Sequence, residues 1–297
     1  MLSSIDFLSD KFKIDKLISE FEDEDTSIEE EEVLETDKMI VATFPADESN
    51  SMLFYVYSSD YFYPHHEINY PTVFFDCKVL KNDFVAVSSL LDDILVFDPK
   101  IKHVDGPSYI LQGHDSNVLC LEMQEDLISG SEDKTIIFWD NDKPKERVEC
   151  GDDIIKLSVE GNLIAYSSNS KVVLREVNKK ITDFDVKDVE DIKLRNNNLY
   201  LSDGEGNIII YDLRNYEKSL YKLHDEFINS FGFYKNYLVT GSEDRRIKFF
   251  DLCQLETIKE VKVNEIITRL KFNEDICFYG GEITELNYLD ANKALLK

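Results

Sequence analysis

LISGSEDKTIIFWD (127–140) and LVTGSEDRRIKFFD (238–251) are the stretches on which the fold turns. Each reads as an apolar strand, a tight Ser-Glu-Asp turn, a second apolar strand and a closing aromatic–Asp pair. Each has a His–Asp pair upstream at nearly the same remove, His114-Asp115 and His224-Asp225. Short apolar runs bounded by polar turns mark antiparallel strands, and a unit that recurs with its turn chemistry intact marks a repeated supersecondary structure.

Working outward, the same pattern appears in FVAVSSLLDDILVFD (84–98), LIAYSSNSKVVLRE (163–176) and LYLSDGEGNIIIYD (199–212). Weaker versions stand at either end, MIVATFPADESNSMLFYVYS (39–58) and ICFYGGEITELNYLD (276–290). Third-strand markers at residues 54, 95, 137, 173, 209, 248 and 286 recur every 36 to 42 residues. That interval and the His…Ser-Glu-Asp…Trp-Asp spacing are similar to the blades of WD-repeat proteins. The expected fold is all-β: a seven-bladed WD-repeat β-propeller over residues 33–297, with six blades and a stray hairpin as the alternative. One blade cannot bury both of its faces; stacking blades around an axis does, and ring closure protects the ends. The last unit shows three strand segments, 265–273, 276–281 and 284–290, so its missing edge strand is expected from residues before about 38.

Residues 1–32 form an N-terminal extension on this reading. Between residues 20 and 37 there are eleven acidic side chains and no basic one. Such a run is a solvated, self-repelling linker or a hook for a Lys/Arg-rich partner. Ahead of it, SSIDFLSDKFKIDKLISEF carries Phe7, Leu8, Ile14, Leu17 and Phe21, with Ser3 or Asp10 placed to cap a short helix. One or two turns of helix are marginal alone. Phe7, Leu8, Leu17 and Phe21 are therefore candidates either to pack back on the domain or to enter a groove on a partner.

The formal charge of −27 argues against a protein that coats nucleic acid by itself, since phosphate binding needs concentrated positive surface; it suits basic protein partners. No run reaches the 18 apolar residues of a membrane span, and MLSSIDFLSDKFKID lacks the basic and apolar regions of a secretion signal. Cys77, Cys120, Cys150, Cys253 and Cys277 are odd in number and widely spaced, as buried thiols of a reducing compartment would be. No cofactor or metal is expected. There is no phosphate-binding loop or dinucleotide fingerprint, and His65 and His66 should point to opposite sides of a strand.

The side chains with a defined expected role are structural. His114, Ser129, Asp133 and Trp139 have the spacing of a hydrogen-bond ladder. Asp133 accepts from the His114 ring, the other ring nitrogen meets Ser129, and the indole N–H of Trp139 reaches the Ser129 hydroxyl. His224, Thr240 and Asp244 repeat it, but Phe250 replaces Trp and Leu223 replaces the Gly before His. Asp–His–Ser also invites comparison with a hydrolase triad, yet no GxSxG elbow is present. The blade around 154–186 is expected to be among the least ladder-stabilised. Arg245, Arg246 and Lys248 make the densest positive cluster in a repeat and are candidate contacts to RNA phosphate or an acidic partner. Arg214 in YDLR is a candidate adaptor contact, and Lys179, Lys180, Lys187, Lys193 and Arg195 add scattered positive charge.

Several segments in order, DKMIVATFPADESNSMLFYVYSSDYFYPHHEI (37–68), the Gly113-His114 blade, GNIIIYDLRN, LHDEFINSF, YLVTGSEDRRIKFFDL and ICFYGGE, resemble the periodic tryptophan protein family in a shortened form. The Tyr-Pro-His65-His66-Glu-Ile segment narrows the likeness most. The family's longer acidic N-terminus, its Lys-rich insertion before residue 113 and most of its tryptophans are missing. The resemblance implies a non-catalytic scaffold of the nucleus and nucleolus that joins pre-60S particles. Its partners would be assembly factors and ribosomal proteins, with local contacts to pre-rRNA; it would be a monomer within that complex, without membrane or small-molecule substrate. The competing class is a WD-repeat substrate receptor or chromatin adaptor.

Overall fold

A computed structural model describes residues 1–9, 12, 18–19, 33–34, 37–44, 50–103, 106–283 and 285–296. Seven antiparallel sheets follow one another along the chain. Blade one pairs Ser4–Phe7, Lys38–Phe44, Asn50–Tyr57 and Phe62–Tyr70. Blade two holds Phe74–Val79, Val85–Ser89, Ile94–Phe97 and Tyr109–Leu111. Blade three runs from Val118–Met123 to Lys143–Glu149, blade four from Lys156–Glu160 to Lys179–Phe184, and blade five from Val189–Arg195 to Glu217–Lys222. Blade six runs from Ser230–Tyr234 to Glu256–Lys262. Blade seven has three strands, Ile267–Asn273, Ile276–Gly281 and Asn287–Asp290, followed by the helix Ala291–Leu296. Six of the seven third-strand markers fall inside the third strand of their blade, and Leu286 directly precedes the seventh.

The second and third strands are Val, Ile, Leu and Phe with few polar residues because both faces are covered by neighbouring blades. The buried apolar residues divide into seven clusters, one at each junction of the ring. The junction that joins the chain's two ends buries Leu2, Ile5, Ile40 and Tyr55 against Phe278 and Leu286. Burying each such side chain contributes about 1.5–3 kcal/mol, so the junctions carry most of the fold's driving force.

Ring closure differs from the expected arrangement. The N-terminal residues do not complete the outer edge of the last blade; Ser4–Phe7 is the innermost strand of blade one, antiparallel to Lys38–Phe44. It is held against blade seven by Leu2 N–H to Gly281 O at 2.7 Å, Thr268 Oγ1 to Leu2 O at 2.8 Å and Arg269 Nε to Ser3 O at 2.7 Å. Ser3 caps no helix: its hydroxyl bonds Thr43. The reason is energetic, because a strand slot with ready backbone partners outweighs one or two unsupported helical turns. At the other end, the helix Ala291–Leu296 buries Ala291 and Ala294 with residues of blades six and seven.

The inner strands are also tied side chain to backbone. Asp6 accepts from Val79 N–H (2.7 Å), Asp76 from Leu121 N–H (3.0 Å), Ser158 from Leu194 N–H (2.9 Å), Asp191 from Phe231 N–H (3.1 Å) and Ser230 from Leu270 N–H (3.3 Å). In each pair the donor lies on the next blade's inner strand. These strands lack a hydrogen-bonded neighbour on their axial side, and the ties satisfy amides that the sheet leaves over.

Candidate functional site

In blade three the ladder is complete. His114 Nδ1 lies 2.9 Å from Asp133 Oδ2, His114 Nε2 lies 2.7 Å from Ser129 Oγ, and Trp139 Nε1–H donates to the same Oγ at 2.8 Å. With one ring proton on Nδ1, each donor has one acceptor: the Ser129 O–H donates to Nε2 and its lone pair takes the indole. Asp133 further accepts the Thr135 hydroxyl (2.7 Å), Thr135 N–H (2.9 Å), Asp115 N–H (2.9 Å) and Arg147 (2.9 Å). Burial by itself would raise the Asp133 carboxyl, but Thr135, Asp115 N–H and His114 together hold it down at about 2. Burial lowers the His114 pKa despite Asp133 beside it. Ser129 is wholly buried, so its hydroxyl is an internal strut and is not presented to a substrate.

In blade six His224 Nδ1 meets Asp244 at 2.9 Å and Nε2 meets Thr240 Oγ1 at 2.7 Å. There the ladder stops, because Phe250 has no donor. Burial lowers the His224 pKa as well. Arg246 occupies the position of Thr135; it reaches Asp244 (3.7 Å), Asp225 (3.4 Å) and Glu260 (3.1 Å). Lys248 occupies the position of Ile137, donates to Leu223 O at 2.5 Å and lies 3.6 Å from Glu260. Two of the three cations read as a contact cluster are thus engaged inside the blade. Arg245 alone is exposed, at a left-handed turn position with φ 61°.

Blade four lacks the ladder and substitutes another tie. Arg175 stands where Trp139 stands in blade three, and it is buried. Its guanidinium donates to Glu176 O (3.1 Å), Glu149 O (2.9 Å) and Val177 O (2.9 Å), joining blade four to the end of blade three. An arginine has five donors in a fixed fork, enough to satisfy loop carbonyls that an aromatic ring leaves to water.

The remaining candidates fall in different places. Arg214 is exposed and clasped by Asp212 at 2.8 Å. His65 and His66 do not point to opposite sides. A bulge between Phe54 and Tyr55 leaves His65 as an extra residue, which brings the two Nδ1 atoms within 2.9 Å. His66 is buried and stacked on Phe54, ring centroids 4.4 Å apart, so it belongs to the core of blade one. Leu8 is buried between blades one and two and Phe7 packs at the closing junction; both are parts of the domain, not free anchors. Leu17 and Phe21 lie outside the described residues. Lys193 and Arg195 face the axis rather than a rim and share the central channel with Lys78, Lys156, Arg269 and Lys271. Sequence reasoning missed Arg147, Arg175 and, among the inner-strand cations, Lys78, Lys156, Arg269 and Lys271. All five cysteines are free thiols, but only Cys77, Cys120 and Cys277 are buried as expected; Cys150 is half-buried and Cys253 is exposed. Burial pushes the Cys77 thiol up to about 12. No described helix is long and apolar enough to cross a membrane.

Comparison with known proteins bears on the repeats and the ring. The family described as "WD domain, G-beta repeat" matches residues 106–140 and 217–251, each the outer strand of one blade followed by the three inner strands of the next, blades three and six with their His–Asp ladders. Comparison with curated proteins finds no match. Among solved structures, the WD40 β-propeller domain of Doa1 is similar with a TM-score of 0.67 at 17% identity, covering 79% of this chain and 86% of that one. At that identity the likeness speaks for the fold alone. The chain is an all-β, seven-bladed β-propeller that carries WD40 repeats, a fold whose usual work is to hold protein partners without catalysis.

Proposed function

We propose that this propeller is a scaffold of large ribosomal subunit assembly, working in the nucleus and nucleolus. The observation that carries the general role is the closed ring: loops from seven blades are displayed on one rigid frame, so several partners can be held at fixed mutual geometry. The net charge of −27 favours basic proteins as the direct neighbours, which is the chemistry of ribosomal proteins. The specific assignment is supported by the ordered segments that resemble the periodic tryptophan protein family, in particular the first blade with its His65-His66 bulge. Contact with pre-rRNA would fall to isolated exposed cations such as Arg245, since Arg246 and Lys248 are occupied.

The test is ultraviolet crosslinking of the endogenous protein with a denaturing wash, reading RNA and peptide adducts together. Large-subunit precursor RNA and basic assembly or ribosomal proteins are the expected yield. Recovery of ligase or chromatin adaptor subunits without precursor RNA would replace this reading with the receptor class.

A further inference from the structure

The axis of the ring holds a cavity of about 370 Å³ walled by the inner strands of all seven blades. In a chain of net charge −27 the wall carries six cations: Lys78, Lys156, Lys193, Arg195, Arg269 and Lys271. Carboxylates are there too, but most have prior engagements. Asp76 accepts from Ser4 Oγ, Leu121 N–H and Cys77 N–H; Asp191 accepts from Phe231 and Ile192 N–H; Asp6 accepts from Val79 and Phe7 N–H. Glu122 accepts from Met123 N–H; burial raises the Glu190 carboxyl, while Lys156 and Arg269 across the same cavity pull it back down.

The cations are not equally engaged. Lys271 is paired with Asp6, Lys78 and Lys193 lie 3.9 Å from Asp76 and Asp191, and Arg195 stacks on Phe233. Arg269 uses Nε and one terminal nitrogen on the carbonyls of Ser3 and Thr268, and among the described residues no carboxylate pairs with it. The Lys156 side chain makes no hydrogen bond or ion pair among the described residues. These two belong to blades four and seven and face one central cavity. Their repulsion is felt: the Arg269 guanidinium, with burial second, holds Lys156 down to about 8, although Asp191 and Asp76 favour its charged form. Two like charges facing one cavity on a rigid frame carry an electrostatic cost that Asp191 and Asp76 offset only in part, and an anion between them lowers it.

We propose that the central channel is a binding site for a compact polyphosphate, clamped between Lys156 and Arg269 with Lys78, Lys193 and Lys271 supplying the surrounding positive field. The size of the cavity suits a small, multiply charged phosphate compound. The acidity of the whole chain disfavours long polyanions, whose remaining phosphates would lie against negative surface. The site is independent of the proposed ribosomal role.

The test is calorimetric titration of the full chain with tripolyphosphate at low and at high salt, alongside a single-stranded RNA oligonucleotide. One saturable site for tripolyphosphate is expected, weakened by salt, and weakened at least tenfold in Lys156→Gln. That variant removes no hydrogen bond of the wall and should melt no lower than the parent. Lys145→Gln, on an outer strand, should bind as the parent does and so controls for net charge. Absence of saturable binding at low salt, equal binding by parent and Lys156→Gln, equal losses from Lys145→Gln and Lys156→Gln, or binding of the RNA but not of tripolyphosphate would each overturn the proposal.

Discussion

Blades three and six began as the same sentence and have been edited differently. In blade three Trp139 closes the ladder, and Gly113 leaves room for it: a Cβ on Gly113 would lie 3.1 Å from the Trp139 ring. In blade six the smaller Phe250 stands opposite Leu223, and both are buried in one cluster. Ring volume lost on one side is returned on the other. The charges have been exchanged in the same way. Blade three places Arg147 on its outer strand, within reach of Asp133 and Asp115. Blade six moves the cations to its third strand, as Arg246 and Lys248, and sets Glu260 on the outer strand to meet them. A dense basic run in a repeat is therefore not a surface signal until its cross-strand partners are known.

The comparison breaks first at the ladder carboxylate. Asp133→Ala strands the His114 ring N–H, the Thr135 hydroxyl and the Asp115 amide, and should cost about 3 kcal/mol by denaturant unfolding. Asp115→Ala removes only an exposed partner of Arg147 and should cost at most about 0.5 kcal/mol. Equal losses from the two would show that the ladder does not bear on stability.

Acid should expose the same carboxylate. Its folded pKa, about 2, is below the usual 3.8, so the unfolded chain takes up the proton first as pH falls. The stability it contributes is full above pH 4 and is lost on falling through pH 2, about 2 kcal/mol in all. His114 and His224, both lowered by burial, add acid sensitivity beginning below the ordinary histidine range near 6.5, again because the unfolded state binds the proton first. Unfolding free energies measured from pH 7 to pH 2 should decline in those two windows; in Asp133→Ala the decline between 4 and 2 should shrink.

Charge reversal separates the two arginines of the blade-six turn. Arg246→Glu sets a fourth carboxylate beside Asp225, Asp244 and Glu260 and should destabilise by about 2 kcal/mol, while Arg245→Glu stays within about 0.5 kcal/mol. Equal effects would mean that Arg246 is as free as its neighbour.

The smallest effect is the most specific. Trp139→Phe removes the donor to Ser129 and some ring volume, for about 1.5 kcal/mol. Adding Gly113→Leu should recover roughly 0.5–1 kcal/mol of it, whereas Gly113→Leu alone should be destabilising. Strict additivity in this double-mutant cycle would deny that blade six solved the same packing problem.

What was readable beforehand follows from how local each feature is. The ladder residues sit within one repeat and carry fixed spacings, so His114, Asp133 and their copies could be placed from the sequence. The blade count was equally legible, because every third strand keeps its apolar run and its turn. Arg175 was not, since its targets Glu149, Glu176 and Val177 are carbonyls, which leave no side-chain signature. The His65–His66 contact depends on a bulge that the strand pattern does not announce. The channel cations are one or two per inner strand, dispersed among aspartates, and become a cluster only when the ring closes. Residues 4–7 were hidden for a related reason: four residues of SIDF have no strong local preference, and their partners lie at Lys38–Phe44 and in the last blade.

That last segment is where the account is most open to direct trial. Amide hydrogen exchange on the intact chain, read residue by residue, should find Leu2, Ser3 and Leu8, whose N–H groups donate to Gly281, Thr43 and Met39 carbonyls, protected to the same order as the hydrogen-bonded inner-strand amides of Val118–Met123. Exchange of those three at the rate of an unstructured peptide, with the remaining blades still protected, would contradict a ring closed by its own N-terminus.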